Sequence, residues 1–180
     1  MLNDFAELKE FWHTEIIGDD KKFSWTKIFR RVKRSNPHNC LFWLRMSQYL
    51  YKKKNRAIKS WGKRINKSLV RKFGVEIALG AEIDKGLWLG HPTAIIVFSG
   101  VKMGKGCSIR QCTTIGSSKV GSRGIYFGDN VSIGANSCII GDNLRIGSNV
   151  TIGAMSFVNK DIPENTVYIT RKESYTRPKE

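Results

Sequence analysis

The pattern of apolar positions divides the chain near residue 73. In the first stretch, aromatic and aliphatic residues recur at intervals of three and four, the period of an amphipathic helix. "DFAELKEFW" brings Phe5, Leu8, Phe11 and Trp12 to one face, and Ser24 stands where a helix beginning "SWTKIFRRVKR" needs an N-terminal cap. Pro37 suits the first turn of a third helix, "PHNCLFWLRMSQYLYKKK", and a basic amphipathic run from Arg56 to Phe73 predicts a fourth.

Beyond residue 74 the period becomes six. Segments such as "IGANSC", "IGDNLR", "IGSNVT" and "IGAMSF" repeat an aliphatic anchor, a glycine and, three residues later, often a small or β-branched residue. The anchors are Ile77, Ile83, Leu89, Val97, Met103, Ile109, Ile115, Phe127, Ile133, Ile140, Ile146, Ile152 and Val158, with one extra residue, Ile139, inserted before Ile140. A chain that makes a short strand, turns a corner and does so three times per coil produces this count. The anchors then stack inward, and glycine or asparagine supplies the left-handed backbone of the corners. The expected fold is mainly β, a triangular parallel β-helix of about five coils. Residues 1–73 form a basic α-helical N-terminal region, 74–166 the β-helix and 167–180 a C-terminal tail.

The repeat is broken twice, and breaks in a solenoid are where loops can reach a ligand. Two extra residues separate Leu89 from Val97 in "GHPTAII", which puts His91 two positions past an inward anchor, at an exposed corner. Ile115 and Phe127 stand twelve apart across "GSSKVGSRGIYF", so six residues beyond a plain repeat bulge outward.

These residues resemble the hexapeptide-repeat acyltransferases, whose fold is a left-handed parallel β-helix. Within them they resemble the serine acetyltransferase branch and its relatives that O-acetylate bacterial surface polysaccharides. The resemblance covers roughly residues 39–167 and is carried by "GVEIALGAEIDKGLWLGHPTAIIVFSGVKMGKGCSI", where an acidic residue after valine precedes the catalytic histidine by fifteen positions. Those positions are Glu76 and His91. The resemblance implies acetyl-CoA as co-substrate, no metal, and a homotrimer with active sites between subunits. Acetyl transfer to an alcohol needs a base for the hydroxyl proton, and an imidazole, with an ordinary pKa of about 6.5, suits that task. A carboxylate on its far nitrogen would fix the tautomer and steady the imidazolium, the role implied for Glu76.

The same resemblance makes Gly116, Ser117, Ala135, Gly153 and Ala154 candidates to line the pantetheine arm, because small residues let a linear chain approach the backbone. It makes Lys160, Arg171 and Lys172 candidates for the adenosine phosphates. Two departures bear on the acceptor. Serine-specific members carry an arginine–histidine pair in the inserted loop, where this chain has Arg123 and Gly124, and their helical region is longer. Arg123 alone is the candidate for gripping a carboxylate. The expected acceptor is therefore a sugar hydroxyl in capsule, O-antigen or exopolysaccharide synthesis. The alternatives are serine O-acetylation in cysteine synthesis and a non-enzymatic solenoid scaffold.

Composition narrows the partners. Lysine and arginine number 31 against 15 acidic residues, a net charge of +16, and residues 1–73 hold 19 of the basic and 6 of the acidic groups. No nucleic-acid recognition motif accompanies this excess. Two readings remain for the basic helices: a solvated cap over the first coil, or attachment to an anionic membrane leaflet, where each nearby cation contributes about 1 kcal/mol. No run reaches the roughly 20 apolar residues of a membrane span, and the N-terminus lacks the pattern of a secretory signal. A cytoplasmic location is expected, with the inner face of the membrane as a variant of it. Cys40, Cys107, Cys112 and Cys138 show no metal-ligand spacing and are expected to be reduced, at or near the core.

Overall fold

The computed structural model describes residues 2–117, 121, 123–171, 173 and 176–178. Four helices come first: α1 (Phe5–Trp12), continued by a π-helical turn (His13–Ile17), α2 (Trp25–Arg34), α3 (Asn36–Tyr51) and α4 (Arg56–Phe73). Their ends follow local chemistry. Asp4 accepts from the Glu7 amide at 2.8 Å, Ser24 accepts from the Lys27 amide, and Asn55 accepts from the amides of Ala57 and Ile58. Gly74 then ends α4 in a left-handed conformation, φ 64°, its amide returning to the Val70 carbonyl.

The chain enters the solenoid directly after Gly74. Its strands are β1 (Val75–Ile77), β2 (Glu82–Ile83), β3 (Trp88–Gly90), β4 (Ile95–Val97), β5 (Val101–Met103), β6 (Ser108–Arg110), β7 (Thr114–Gly116), β8 (Ile125–Phe127), β9 (Ser132–Ile133), β10 (Cys138–Ile140), β11 (Leu144–Ile146), β12 (Thr151–Ile152), β13 (Phe157–Val158) and β14 (Val167–Tyr168). Every third strand pairs in parallel. Sheet A runs β1-β4-β7-β10-β13, sheet B β2-β5-β8-β11 and sheet C β3-β6-β9-β12-β14. Four full coils result, and a fifth closes through a bridge between Ile146 and Ile162 where a sheet B strand would stand. β14 continues sheet C into the segment read from sequence as a tail.

Each coil sends two residues per face inward. The anchors Ile77, Ile83, Leu89, Val97, Met103, Ile109, Ile115, Phe127, Ile133, Ile146, Ile152 and Val158 are buried, and so are their partners two positions earlier, from Val75 and Ala81 to Val150 and Ser156. One anchor assignment is corrected. Ile139, not Ile140, points inward: it is fully buried and pairs with Ile115 and Val158, while Ile140 is half-exposed. The extra residue therefore belongs after the strand, at the Gly141–Asn143 corner. Two adjacent isoleucines leave the count ambiguous, and strand alternation decides which one faces the core.

The three corners are not alike. Between sheets B and C the turn residue is Gly86, Gly106, Asn130, Asn149 and Asn165 in successive coils, each with positive φ. The asparagine amides stack, Asn130 Nδ2 donating to Asn149 Oδ1 at 3.2 Å and Asn149 Nδ2 to Asn165 Oδ1 at 2.9 Å. From anchor to anchor this corner holds a spacing of six in every coil: Ile83 to Leu89, Met103 to Ile109, Phe127 to Ile133, Ile146 to Ile152 and Ile162 to Tyr168. All irregular spacings fall at the two ends of sheet A.

The helices cover the open end of the first coil. Cys40, Leu41 and Leu44 of α3, with Leu69 and Phe73 of α4, join the solenoid core as one cluster. A second cluster, Leu8, Phe11, Trp12, Ile16, Ile17, Ile28 and Phe42, holds the helices to one another, with Trp12 stacked on Phe42 at 4.4 Å. Of the face expected on α1, Phe5 is exposed, lying beside Trp25 instead of in the core.

A buried ion pair joins cap to solenoid. Arg45 is wholly buried and donates from Nε and Nη2 to Glu15, from Nη1 to the Ile83 carbonyl at 2.8 Å and to Gln48, and from Nη2 to the Asp84 carbonyl at 2.9 Å. Glu15 also accepts from the Leu87 amide at 3.1 Å. Burial pushes the Glu15 carboxyl up, and Arg45 opposes that. Every donor and acceptor of the pair is thereby engaged, which a buried charge requires.

The cysteines are free. Burial pushes the Cys40 thiol up to about 12 and the Cys107 thiol up to about 11, so neither forms thiolate near neutral pH. Cys112 departs from expectation: it is an exposed corner residue at φ 56°. A thiol-reactive disulfide reagent at pH 8 is expected to modify Cys112 first in the native protein, leaving Cys40 and Cys107 until denaturant is added. Peptide mapping of the labelled protein checks the order, and early labelling of Cys40 would contradict it.

Candidate active site

His91 follows β3 at the corner that leads into sheet A. The two-residue excess is absorbed by two non-glycine residues in the left-handed region, His91 at φ 56° and Ala94 at φ 51°, with Pro92 buried between them. Each such residue costs roughly 1 kcal/mol, and the corner is held by its neighbours: the Ile95 amide donates to Gly74 at 3.2 Å and the Cys112 amide to Thr93 at 2.9 Å. The widened corner leaves His91 exposed on a cleft of about 830 Å³ between the solenoid and the cap. The cleft is lined from α2 by Arg34, from the first turn of α3 by Asn36 and Pro37, and from the end of α4 by Lys72 and Phe73.

The other two histidines are placed differently. His13 is hydrogen-bonded through Nε2 to the Lys21 carbonyl at 2.6 Å. His38 is half-buried edge-on to Trp88 at 5.8 Å, and burial, with Arg31 nearby, pulls its pKa down. His91 is the histidine on the open cleft.

Glu76 points outward from β1, between the inward Val75 and Ile77, in register with the exposed Ile96 of β4. Among the described residues no hydrogen bond joins it to His91: the strand face carries one group and the corner the other. Both lie at the same end of the solenoid, because the His91 corner stacks on Gly74 just ahead of β1.

The remaining candidates divide between the two edges of sheet A. Gly116 and Ser117 close β7 at the edge leading toward sheet B, where exposed Lys160 also lies beyond β13. Ala135, Gly153 and Ala154 lie at the opposite edge, the Met155 amide donating to Ala135 at 2.8 Å and the Gly153 amide to Tyr168 at 2.8 Å, with exposed Arg171 following β14. Lys172 lies outside the described residues. Arg123 is exposed in the inserted loop, its amide held by Asp142 at 2.7 Å and its carbonyl by the Tyr126 hydroxyl at 2.9 Å. Gly124 beside it has φ 106°, and a Cβ there would stand 2.5 Å from the Gly100 carbonyl, so no histidine side chain fits this backbone. Among the described residues no group of three or more histidine, cysteine or acidic side chains is placed to hold a metal ion, and no helix is long and apolar enough to cross a membrane.

Sequence reasoning did not reach Arg34, Lys72 or the start of α3 as neighbours of His91. Helical periodicity places each on its own helix, and only the docking of the cap on the first coil brings the three helix ends to one corner.

No family model matches the chain. Its six-residue coils under a helical cap nevertheless define a hexapeptide-repeat solenoid. Within that class the similarity is to the serine acetyltransferase branch. The chain is 39% identical over 99 residues to serine acetyltransferase 3, mitochondrial, of Arabidopsis thaliana, a match covering 54% of this chain and 25% of that protein. It is 34% identical over 98 residues to a serine acetyltransferase of Staphylococcus epidermidis, covering 53% and 46%. The matched stretch is thus less than half the length of these curated relatives. Among solved structures, Neisseria gonorrhoeae serine acetyltransferase in complex with serine aligns over 92% of this chain and 68% of its own, with a TM-score of 0.76 and 26% identity. The soybean serine acetyltransferase apoenzyme aligns with a TM-score of 0.75 over 91% and 67%; its 23% identity speaks for the fold.

Proposed function

We propose that this protein is an acetyl-CoA-dependent O-acetyltransferase in which His91 is the general base. The observation that carries the reading is the exposed histidine at the single widened corner into sheet A, on a cleft, in a chain whose similarity runs to serine acetyltransferases. The chemistry follows from the group. An acceptor hydroxyl hydrogen-bonded to the imidazole gives up its proton as its oxygen attacks the thioester carbonyl; the tetrahedral adduct collapses, the C–S bond breaks, and the proton passes to the departing CoA sulfur. Glu76 would support the imidazolium once its carboxylate reaches the far ring nitrogen, within one chain or in an assembled oligomer. The small residues at the edges of sheet A would let the pantetheine arm lie along the backbone, with Lys160, Arg171 and Lys172 toward its phosphates, in a homotrimer whose sites lie between subunits.

For the acceptor, the relatives' names favour L-serine over the sugar expected from sequence, and serine is the first acceptor of the proposal. A sugar hydroxyl is the second reading, favoured by Gly124, whose backbone excludes the loop histidine of serine-specific members. The comparisons lend no support to a membrane contact; α4 does present Trp61 and Ile58 among its cations on the exposed side. The deciding assay follows CoA release from acetyl-CoA with L-serine and, in parallel, with sugars and sugar phosphates. Fast serine-dependent release is expected on the first reading and sugar-dependent release on the second. Absence of both, with no acetyl-CoA binding by calorimetry, would leave only a scaffold.

A further inference from the structure

The cleft beside His91 has a one-sided charge. Its cations are Arg34, from the last turn of α2, and Lys72, from the last turn of α4, and no aspartate or glutamate lines it. Neither cation is in an ion pair among the described residues; Lys72 Nζ reaches the Asn39 side-chain oxygen, at 3.4 Å, and lies 5.0 Å from the centre of the Phe73 ring, and neither contact neutralises its charge. Two uncompensated cations at one concave site focus a positive potential on whatever the imidazole touches. The carboxylate grip expected of Arg123 is not available there within one chain: Arg123 lies in the loop at the far edge of sheet A from the His91 corner.

We propose that Arg34 and Lys72 form the anion-holding half of the acceptor site, so that the alcohol acetylated at His91 carries a carboxylate or a phosphate. This rests on the O-acetyltransferase reading and deepens it. Arg34 supplies a planar fork suited to either anion and Lys72 a compact charge on the same lining. An ammonium group on the acceptor would find two like charges and no carboxylate on this lining. The cleft therefore recognises serine, if serine it is, by its carboxylate alone, and gains nothing from its amine.

Two measurements on the full-length protein test this. In the first, the C2 proton of His91 is followed by NMR while inorganic phosphate is added, the signal being assigned with His91→Ala and the His13 and His38 signals serving as controls. A saturable shift is expected in the wild type, weakened about tenfold or more in the Arg34→Gln, Lys72→Met double variant, as loss of roughly 1.4 kcal/mol of anion binding requires. No saturable shift in the wild type, or an equal one in both proteins, overturns the proposal. In the second, acetylation of L-serine, 3-hydroxypropanoate, glucose 1-phosphate and methyl glucoside is compared. The double variant should raise KM for the anionic acceptors about tenfold with kcat little changed, and 3-hydroxypropanoate should serve at least as well as L-serine. A strong preference for L-serine over 3-hydroxypropanoate, or equal loss with methyl glucoside, counts against it. If no acceptor is acetylated while the phosphate titration still saturates, the acetyltransferase reading fails and the anion site stands.

Discussion

Replacing His91 by alanine is expected to lower kcat by roughly 10²- to 10⁴-fold, the usual worth of a general base, with little change in stability. The side chain is exposed, so its removal leaves no cavity. Its backbone is at φ 56°, a conformation alanine already occupies three residues later at φ 51°, so the corner can persist without the imidazole. Turnover measured at saturating acetyl-CoA, beside a thermal melt of the same preparation, separates the two quantities. Retention of most turnover by a folded His91→Ala protein would remove His91 from the mechanism. Glu76→Gln in the same assay shows whether the carboxylate takes part: a loss confined to kcat places it behind the imidazole in the transition state.

The second large effect concerns stability. Arg45→Met removes one member of a fully buried pair and leaves the Glu15 carboxylate among apolar side chains and backbone carbonyls. Breaking such a pair costs about 3–5 kcal/mol, a fall in Tm of roughly 6–20 °C for a chain of this size. The loss should shrink in acid. Without Arg45, burial, the largest influence on Glu15, is opposed only by the backbone amides of Leu87 and Gly86 and holds its folded-state pKa above the unfolded value, so the folded state binds the proton more tightly. Stability of the variant therefore rises as pH falls through that raised pKa, until the unfolded chain is protonated as well. Melts of both proteins from pH 8 to pH 4 test the sign. A deficit that stays constant over that range would mean the carboxylate is hydrated in the variant.

The solenoid was legible because its signal is redundant. Each coil repeats the same inward pair and the same corner, so one ambiguous coil, Ile139 against Ile140, does not obscure the rest. Two helix starts were legible for a local reason: Ser24 and Pro37 each meet a requirement of the backbone beside them. His91 could be found because it breaks a count. The Glu15–Arg45 pair could not be found, since thirty residues separate its members and nothing in either helix marks them as partners. The same holds for Arg34 and Lys72, two cations among the 19 of the helical region, which differ from the others only in where the cap sets them down.

The unequal corners divide the molecule into a part that cannot vary and a part that can. The edge between sheets B and C keeps its count of six through five coils and is tied in its last three by stacked asparagine amides, so an inserted residue there would break that stack. The two edges of sheet A already carry insertions of different lengths while the coils on either side remain in register. A lineage can therefore exchange the loops flanking one face, and with them the molecule acted upon, while its spine stays the same. For an engineer the same division marks the His91 corner and the loop before β8 as the places to graft, and the asparagine edge as the place to leave alone.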